Sequence, residues 1–131
     1  MLFVHIDGSS KGNPGPSGIG IIIFRNNFLI LNYGEFIGFH TNLLSEYLAL
    51  KRALQLALLI DKRIEIHTDS MTIVQQRKAK IRIRKKELKI LSREINNLEK
   101  KFTEISYKYI PREKNTAADS VAKKAIDYHV N

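Results

Sequence analysis

Two short apolar strings in this chain each stop on an aspartate. The first is Phe3-Val4-His5-Ile6-Asp7, followed by Gly8; the second is Ile64-Glu65-Ile66-His67-Thr68-Asp69. Their alternation and β-branched content are those of strands. Glu46 falls in the first turn of an apolar-periodic helix, and Asp119 in the first turn of the last helix. Each of these four carboxylates sits at an element boundary that aims it toward a common point. Only a fold that gathers two strand ends and two helix starts satisfies all four.

The rest of the pattern supplies such a fold. Residues 2–7 read as a strand, 8–20 as a wide turn dense in Gly, Pro and Ser, 19–24 as a strand rich in isoleucine, and 28–39 as a third strand after the turn Arg25-Asn26-Asn27. Short links between three strands imply an antiparallel meander. Thr41-Asn42 starts a helix whose apolar residues recur at helical spacing to about Ile60. A strand over 63–69 and a short helix over 70–76 follow. A basic helix then carries the stripe Leu88, Leu91, Ile95 and Leu98. A strand over 103–110 is stopped by Pro111, and a final helix capped at Asn115 or Thr116 runs to about His129. The order predicts an α/β domain spanning 1–131. Its five-stranded mixed sheet has strands 1–3 antiparallel, strands 4 and 5 parallel to strand 1, and helices on both faces.

The chain has 131 residues, no cysteine and a formal net charge of +9. The length suits one domain with a core of its own, and the lack of cysteine excludes disulfides and thiolate-bound metals. No apolar run is long enough to cross a membrane as a helix, and the N-terminus lacks a basic leader, so a cytoplasmic protein without membrane association is expected. Between Arg77 and Lys101 stand eleven Lys and Arg against three Glu, nearly the whole excess of charge. Such a segment fits either a nucleic-acid footprint or a solvated helix face. Acids gathered at strand ends in a basic protein are the makings of a magnesium site that acts on a polyanion.

The string Asp7-Gly8-Ser9-Ser10-Lys11-Gly12-Asn13-Pro14-Gly15-Pro16 resembles the opening of the type I ribonuclease H family. The resemblance continues through Thr41-Asn42, Glu46-Tyr47, Thr68-Asp69-Ser70 and Pro111-Arg112-Glu113-Lys114-Asn115, and ends on Ala118-Asp119 and Ala122. It spans the chain, and it is to the compact form of the family, without the basic handle helix. It implies a ribonuclease H-like fold and an endonuclease that hydrolyses the RNA strand of RNA–DNA hybrids, leaving 5′-phosphate and 3′-hydroxyl ends. It also implies two Mg2+ ions, with Mn2+ as a substitute, held by Asp7, Glu46, Asp69 and Asp119. Gly8, Ser9, Gly12, Asn13, Thr41 and Asn42 would face the substrate. Arg82, Arg84 and Lys85, in the irregular segment that also holds Lys80, would contact phosphates. The protein is expected to act as a monomer, with double-stranded RNA as a second candidate partner. The competing readings are a duplex-binding module with little turnover and another phosphoryl-transfer nuclease on the same fold.

Each acid also has a local use: Asp7 in a turn with Gly8, Glu46 at a helix N-terminus, Asp69 as a helix cap, and Asp119 in a capping box with Thr116. The glycines equally serve turn geometry. The family's loop histidine is absent, and its place holds Arg112, which cannot shuttle a proton near neutral pH. Leu43 and Met71 stand where the family often has hydrogen-bonding groups, so a weaker substrate grip is expected. Glu65 is expected to be solvated and turned away from Asp69. His5 shares a face with Asp7 and is expected to be packed without a partner. His67 shares the parity of Asp69 and has the stronger claim to a role. His40 and His129 carry no signal.

Overall fold

The computed structural model describes residues 1–79 and 83–130. In chain order the elements are β1 (Leu2–Ser10), β2 (Gly15–Arg25), β3 (Phe28–His40), α1 (Asn42–Ala57), β4 (Arg63–Thr68), α2 (Met71–Ala79), α3 (Lys86–Glu99), β5 (Glu104–Tyr109) and α4 (Thr116–Val130). A 3-10 turn over Arg112–Lys114 precedes α4. The sheet order is β3-β2-β1-β4-β5, with β1–β2 and β2–β3 antiparallel and β1–β4 and β4–β5 parallel. The mixed sheet thus has the predicted directions. No helix among the described residues is long and apolar enough to cross a membrane.

Local chemistry sets the boundaries. Asn26 and Asn27 have φ of 51° and 66°, the left-handed conformation that a tight hairpin needs and that asparagine tolerates. Thr41 caps α1, its Oγ1 accepting the Leu44 N–H at 3.2 Å. The reading of 8–20 as a wide turn is corrected. β1 continues to Ser10, and β2 begins at Gly15, with Gly8 opposite Ile19 and Ser10 opposite Ser17. Backbone pairing needs no apolar side chain, so this part of the ladder leaves no hydrophobic trace in the sequence. α2 also runs past the expected end, to Ala79.

Helices cover both faces. On one face Tyr47, Leu50, Ala53 and Leu54 of α1 pack on Leu2, Val4, Ile6, Ile64 and Ile66, all at most 1% exposed. The stripe Leu88, Leu91 and Ile95 seats α3 against α1. α4 lies on the other face, over β2, β3 and β1. Two glycines permit these approaches. A Cβ at Gly8 would overlap the Ser45 backbone of α1, and one at Gly20 would overlap the Ala118 carbonyl oxygen of α4. Gly20 is the register partner of Asp7, so α4 is drawn in directly beside that acid.

Gly20→Ala should therefore cost about 1–3 kcal/mol by overpacking, measured by urea unfolding. It should also reduce activity, because Asp119 rides on the displaced helix.

Candidate active site

Parallel pairing of β1 with β4 ends at His5 opposite His67. Beyond that pair the two chains run on to Asp7 and Asp69, at the carboxyl end of β4 and at the point where antiparallel neighbours give way to parallel ones. Open sheets bind ligands at such points, because the strands' departing connections leave a crevice. α1 adds Glu46 from its second turn, not from the first turn expected, since Thr41 caps the helix and Asn42 begins it, and ligand oxygens of Asp7, Glu46 and Asp69 all lie within 4.8 Å of one another. Asp119, in the first turn of α4, lines the same cleft of about 400 Å³. The structure brings all four predicted acids to one place.

Their suggested local uses are taken by other groups. Ser70, not Asp69, starts α2: its Oγ accepts the Ile73 N–H at 3.3 Å. The Asp119 N–H bonds the Asn115 carbonyl at 3.2 Å, and the Asp119 carboxylate faces Lys123 at 3.0 Å. Asp7 is inside β1, not in a turn. Glu46 accepts the Gly8 N–H at 3.3 Å. Asn115, 1% exposed, donates from Nδ2 to the Ile6 carbonyl at 2.8 Å. That bond fastens the start of α4 to β1, one residue from Asp7.

The acids are held at an electrostatic cost. Asp7 is 6% exposed, and its pKa is pushed up from 3.8 to about 10, by burial first and then by the charges of Glu46 and Asp69. Glu46 is raised by burial, against the hydrogen bonds it receives. Asp69 is raised by burial, with Arg112 opposing and Asp119 reinforcing. Crowded hard-oxygen donors with too few cations are suited to a divalent ion such as Mg2+ or Mn2+, which would relieve the repulsion. Asp7, Glu46 and Asp69 are the residues able to hold it.

Of the predicted substrate-facing residues, Gly8, Ser9 and Asn42 line the cleft. Asn13 is tied to its rim, with Oδ1 accepting the Asn42 N–H at 2.9 Å. Thr41 spends its hydroxyl on capping α1. Gly12 has φ of +89° and Gly8 makes room for α1, so fold geometry accounts for both glycines. Arg112 and Leu43 line the cleft; Met71 is 45% exposed at the start of α2. Arg84 and Lys85 are exposed ahead of α3, while Lys80 and Arg82 lie outside the described residues. Arg77 is withdrawn from the basic footprint: its side chain is 5% exposed and bonds Glu99 at 2.7 Å. Lys123 was not singled out from the sequence, although its i, i+4 spacing from Asp119 was a usable signal.

Glu65 is also corrected. It lies on the same face as His67 and Asp69, and its Oε1 is 2.7 Å from His67 Nε2. His5 likewise has a partner, its ring centroid 4.8 Å from that of His67.

A sheet of this order with four acids at its switch point defines the ribonuclease H-like class. A family profile described as reverse transcriptase-like matches residues 5–125. The structure of LC11-RNase H1 in complex with an RNA/DNA hybrid is similar, with 32% identity over 100% of both chains and a TM-score of 0.93. The RNase H1 of the halophilic archaeon Halobacterium salinarum is 29% identical over 97% of this chain and 98% of that one, with a TM-score of 0.92. The N-terminal RNase H domain of Rv2228c from Mycobacterium tuberculosis is 30% identical over 96% of this chain and 98% of that one, with a TM-score of 0.91. This chain spans 35% of the whole Rv2228c, a bifunctional protein. The chain belongs to the type 1 ribonuclease H family.

Without metal, folded Asp7 keeps a proton that the unfolded chain releases above its ordinary value, so stability should fall as pH rises from about 4 toward 10. Asp7→Asn should flatten that dependence. At pH 8 in chelator it should raise stability by at least about 1.4 kcal/mol, the equivalent of one pKa unit, as read by denaturant melts.

Proposed function

We propose that this protein is a metal-dependent endonuclease that hydrolyses the RNA strand of RNA–DNA hybrids. The observation that carries the reading is the convergence of Asp7, Glu46 and Asp69 within 4.8 Å, in a cleft that Asp119 and the cations Arg112 and Lys123 also line. The fold is shared with a relative whose structure was determined in complex with an RNA/DNA hybrid. We assign Asp7, Glu46, Asp69 and Asp119 as the metal-holding and catalytic set, with Mg2+ as the working ion and a cytoplasmic monomer as the acting form.

Divalent ions, when bound, supply charge neutralisation for in-line displacement at a phosphodiester. The chain's own groups do the rest. Asp7 and Asp69, fixed by strands, and Glu46 and Asp119, fixed by helices, form a preorganised anionic floor that needs no rearrangement during reaction. Arg112, raised on the 3-10 turn, presents a permanent cation to a phosphate oxygen. It orients or expels a phosphate and takes no part in proton transfer. Lys123 holds the Asp119 carboxylate in place. To the backbone at Gly8 and Ser9 and to Asn42, which line the cleft, we assign the reading of the RNA strand's ribose hydroxyls, the feature that separates RNA from DNA. Leu43 contributes no hydrogen bond at this rim. Arg84 and Lys85 add sequence-independent affinity through backbone phosphates.

The test is cleavage of labelled RNA–DNA, RNA–RNA and DNA–DNA duplexes in magnesium. RNA-strand cleavage of the hybrid is expected, and a chain that binds the hybrid without cutting it would revert to the binding-module reading. Asp7→Asn should lower turnover by about 10²-fold or more while leaving hybrid binding measurable. Replacing Arg84 and Lys85 by Ala should raise KM and reduce the salt slope of binding by about 0.9 for each phosphate no longer neutralised, with kcat little changed.

A further inference from the structure

A second cavity, of about 640 Å³, lies between α2 and α3 and shares no lining residue with the carboxylate cleft. Its charge is one-sided. The cations Lys89, Arg93 and Lys100 line it, and the neighbouring acids are engaged elsewhere: Glu94 pairs with Lys51, and Glu99 with Arg77. Arg77 and Glu99 cancel, so the lining carries three positive charges in excess. Lys89 and Arg93 stand four residues apart on α3, where like charges repel across one turn.

The neutral groups have the same bias. Arg77 holds donors alone, so the atoms it meets are the acceptors of their side chains. Its Nη1 donates to Ser92 Oγ at 2.9 Å, and its Nη2 donates to Asn96 Oδ1. That leaves the Ser92 hydroxyl hydrogen and the Asn96 amide nitrogen to donate. Tyr47 donates to Gln76 Oε1, which leaves the Gln76 amide nitrogen in the same state. Both Glu99 oxygens already accept, Oε1 from Arg77 at 2.7 Å and Oε2 from Tyr107 at 2.5 Å. A network anchored on Arg77, whose side chain is 5% exposed, and on buried Tyr47 has thus taken up the acceptors and left donors.

We propose that this cavity binds a compact polyphosphate anion, the chemistry shared by inorganic tripolyphosphate and the phosphate tail of a nucleoside triphosphate. Cations beside N–H and O–H donors, with the acceptor atoms engaged, are what phosphate oxygens require. The volume lies in the range of small-molecule sites, about 300–1,000 Å³, and exceeds what a single phosphate fills. The cations run along one face of α3 from Lys89 to Lys100, about 16 Å at the helical rise, which suits an extended anion of several charges. A nucleic-acid strand is the less favoured occupant: no aromatic side chain lines the cavity, and strand grooves stack bases on aromatic rings. Ile83 is the one apolar lining residue, so the phosphate chain is the part recognised. A bound anion links Gln76 of α2 to Ser92 and Asn96 of α3 and relieves the repulsion between Lys89 and Arg93. The site is separate from the carboxylate centre and does not rest on the nuclease reading.

The test is calorimetry on the full chain at about 0.15 M salt, where a Debye length of about 8 Å screens diffuse attraction. Chelator is present, so that no metal draws phosphate to the carboxylates. One tripolyphosphate per chain is expected; ATP should bind within about tenfold of it, and adenosine should not bind. Arg93→Gln with Lys100→Gln should lower affinity at least about tenfold, as expected for lost charge-assisted hydrogen bonds, whereas Arg84→Gln with Lys85→Gln should change it by less than about twofold. In the wild-type protein, nitrogen-15 NMR should show the backbone amides of Ser92, Arg93 and Asn96 shifting with tripolyphosphate while those of Gly8 and Asp69 stay in place, a readout independent of any variant's folding. Absence of tripolyphosphate binding, equal losses in the two double variants, ATP binding without tripolyphosphate binding, or amide shifts confined to the carboxylate cleft would each overturn the proposal. An unphosphorylated single-stranded oligonucleotide that produced the same amide shifts at lower concentration would overturn it too, by assigning the cavity to a nucleic-acid strand.

Discussion

The close approach of two helix backbones to the centre of the sheet, through gaps left by Gly8 and Gly20, is the contact on which the rest of the structure depends. Gly8 lets α1 lie against β1, so that Glu46 accepts the Gly8 N–H. Gly20, across the ladder from Asp7, lets α4 settle on β2. Asn115 then bonds the Ile6 carbonyl and sets where α4 begins. Consecutive residues of a strand face opposite sides, so one helix arrives from each face of the sheet beside a single aspartate. Close packing transmits small displacements, which makes Asp7, Glu46 and Asp119 one mechanical unit.

That arrangement opposes the electrostatics of the apo protein. Among the described residues Asp7 and Glu46 have no salt bridge, whereas Asp119 has Lys123 and Asp69 feels Arg112. The two most deeply placed carboxyls are the ones with the least compensation. Functional sites commonly carry such a deficit, because the group that would neutralise it arrives with the ligand. Apolar packing on the α1 face, from Leu2 and Val4 through Leu50 and Ile66, is what keeps the deficit from dispersing the site.

The basic segment divides into two physical roles. Arg77 is internal; its guanidinium reaches Glu99, Ser92 and Asn96 and joins α2 to α3, and Tyr107 donates to the same Glu99 at 2.5 Å. Lys78, Lys86, Lys89 and Lys100 remain exposed. These exposed cations, with Arg84 and Lys85, are free to attract a polyanion, and Arg77 holds the helices that present them. Charge counted along a sequence does not separate the two, because burial and pairing are properties of the packed chain.

The sequence by itself determined the strand and helix order, the directions of the five strands and the identity of the four acids, because alternation, helical periodicity and turn residues are local and repeat over many positions. Thr41 and the Asn26-Asn27 turn were legible for that reason. The extension of β1 to Ser10 was hidden, since main-chain pairing of Gly8 and Ser9 has no side-chain signature. Which local use each acid would have was also undecided: the Ser70 hydroxyl took the start of α2 in place of Asp69, and the tertiary contact of Glu46 with the Gly8 N–H turned that carboxylate toward β1. The pairing of His5 with His67, and of His67 with Glu65, depended on the register between two strands about sixty residues apart in the chain. No local pattern encodes that register. It is chosen by the burial of Val4, Ile6, Ile64 and Ile66 against α1, since a one-residue slip would turn those side chains out to water.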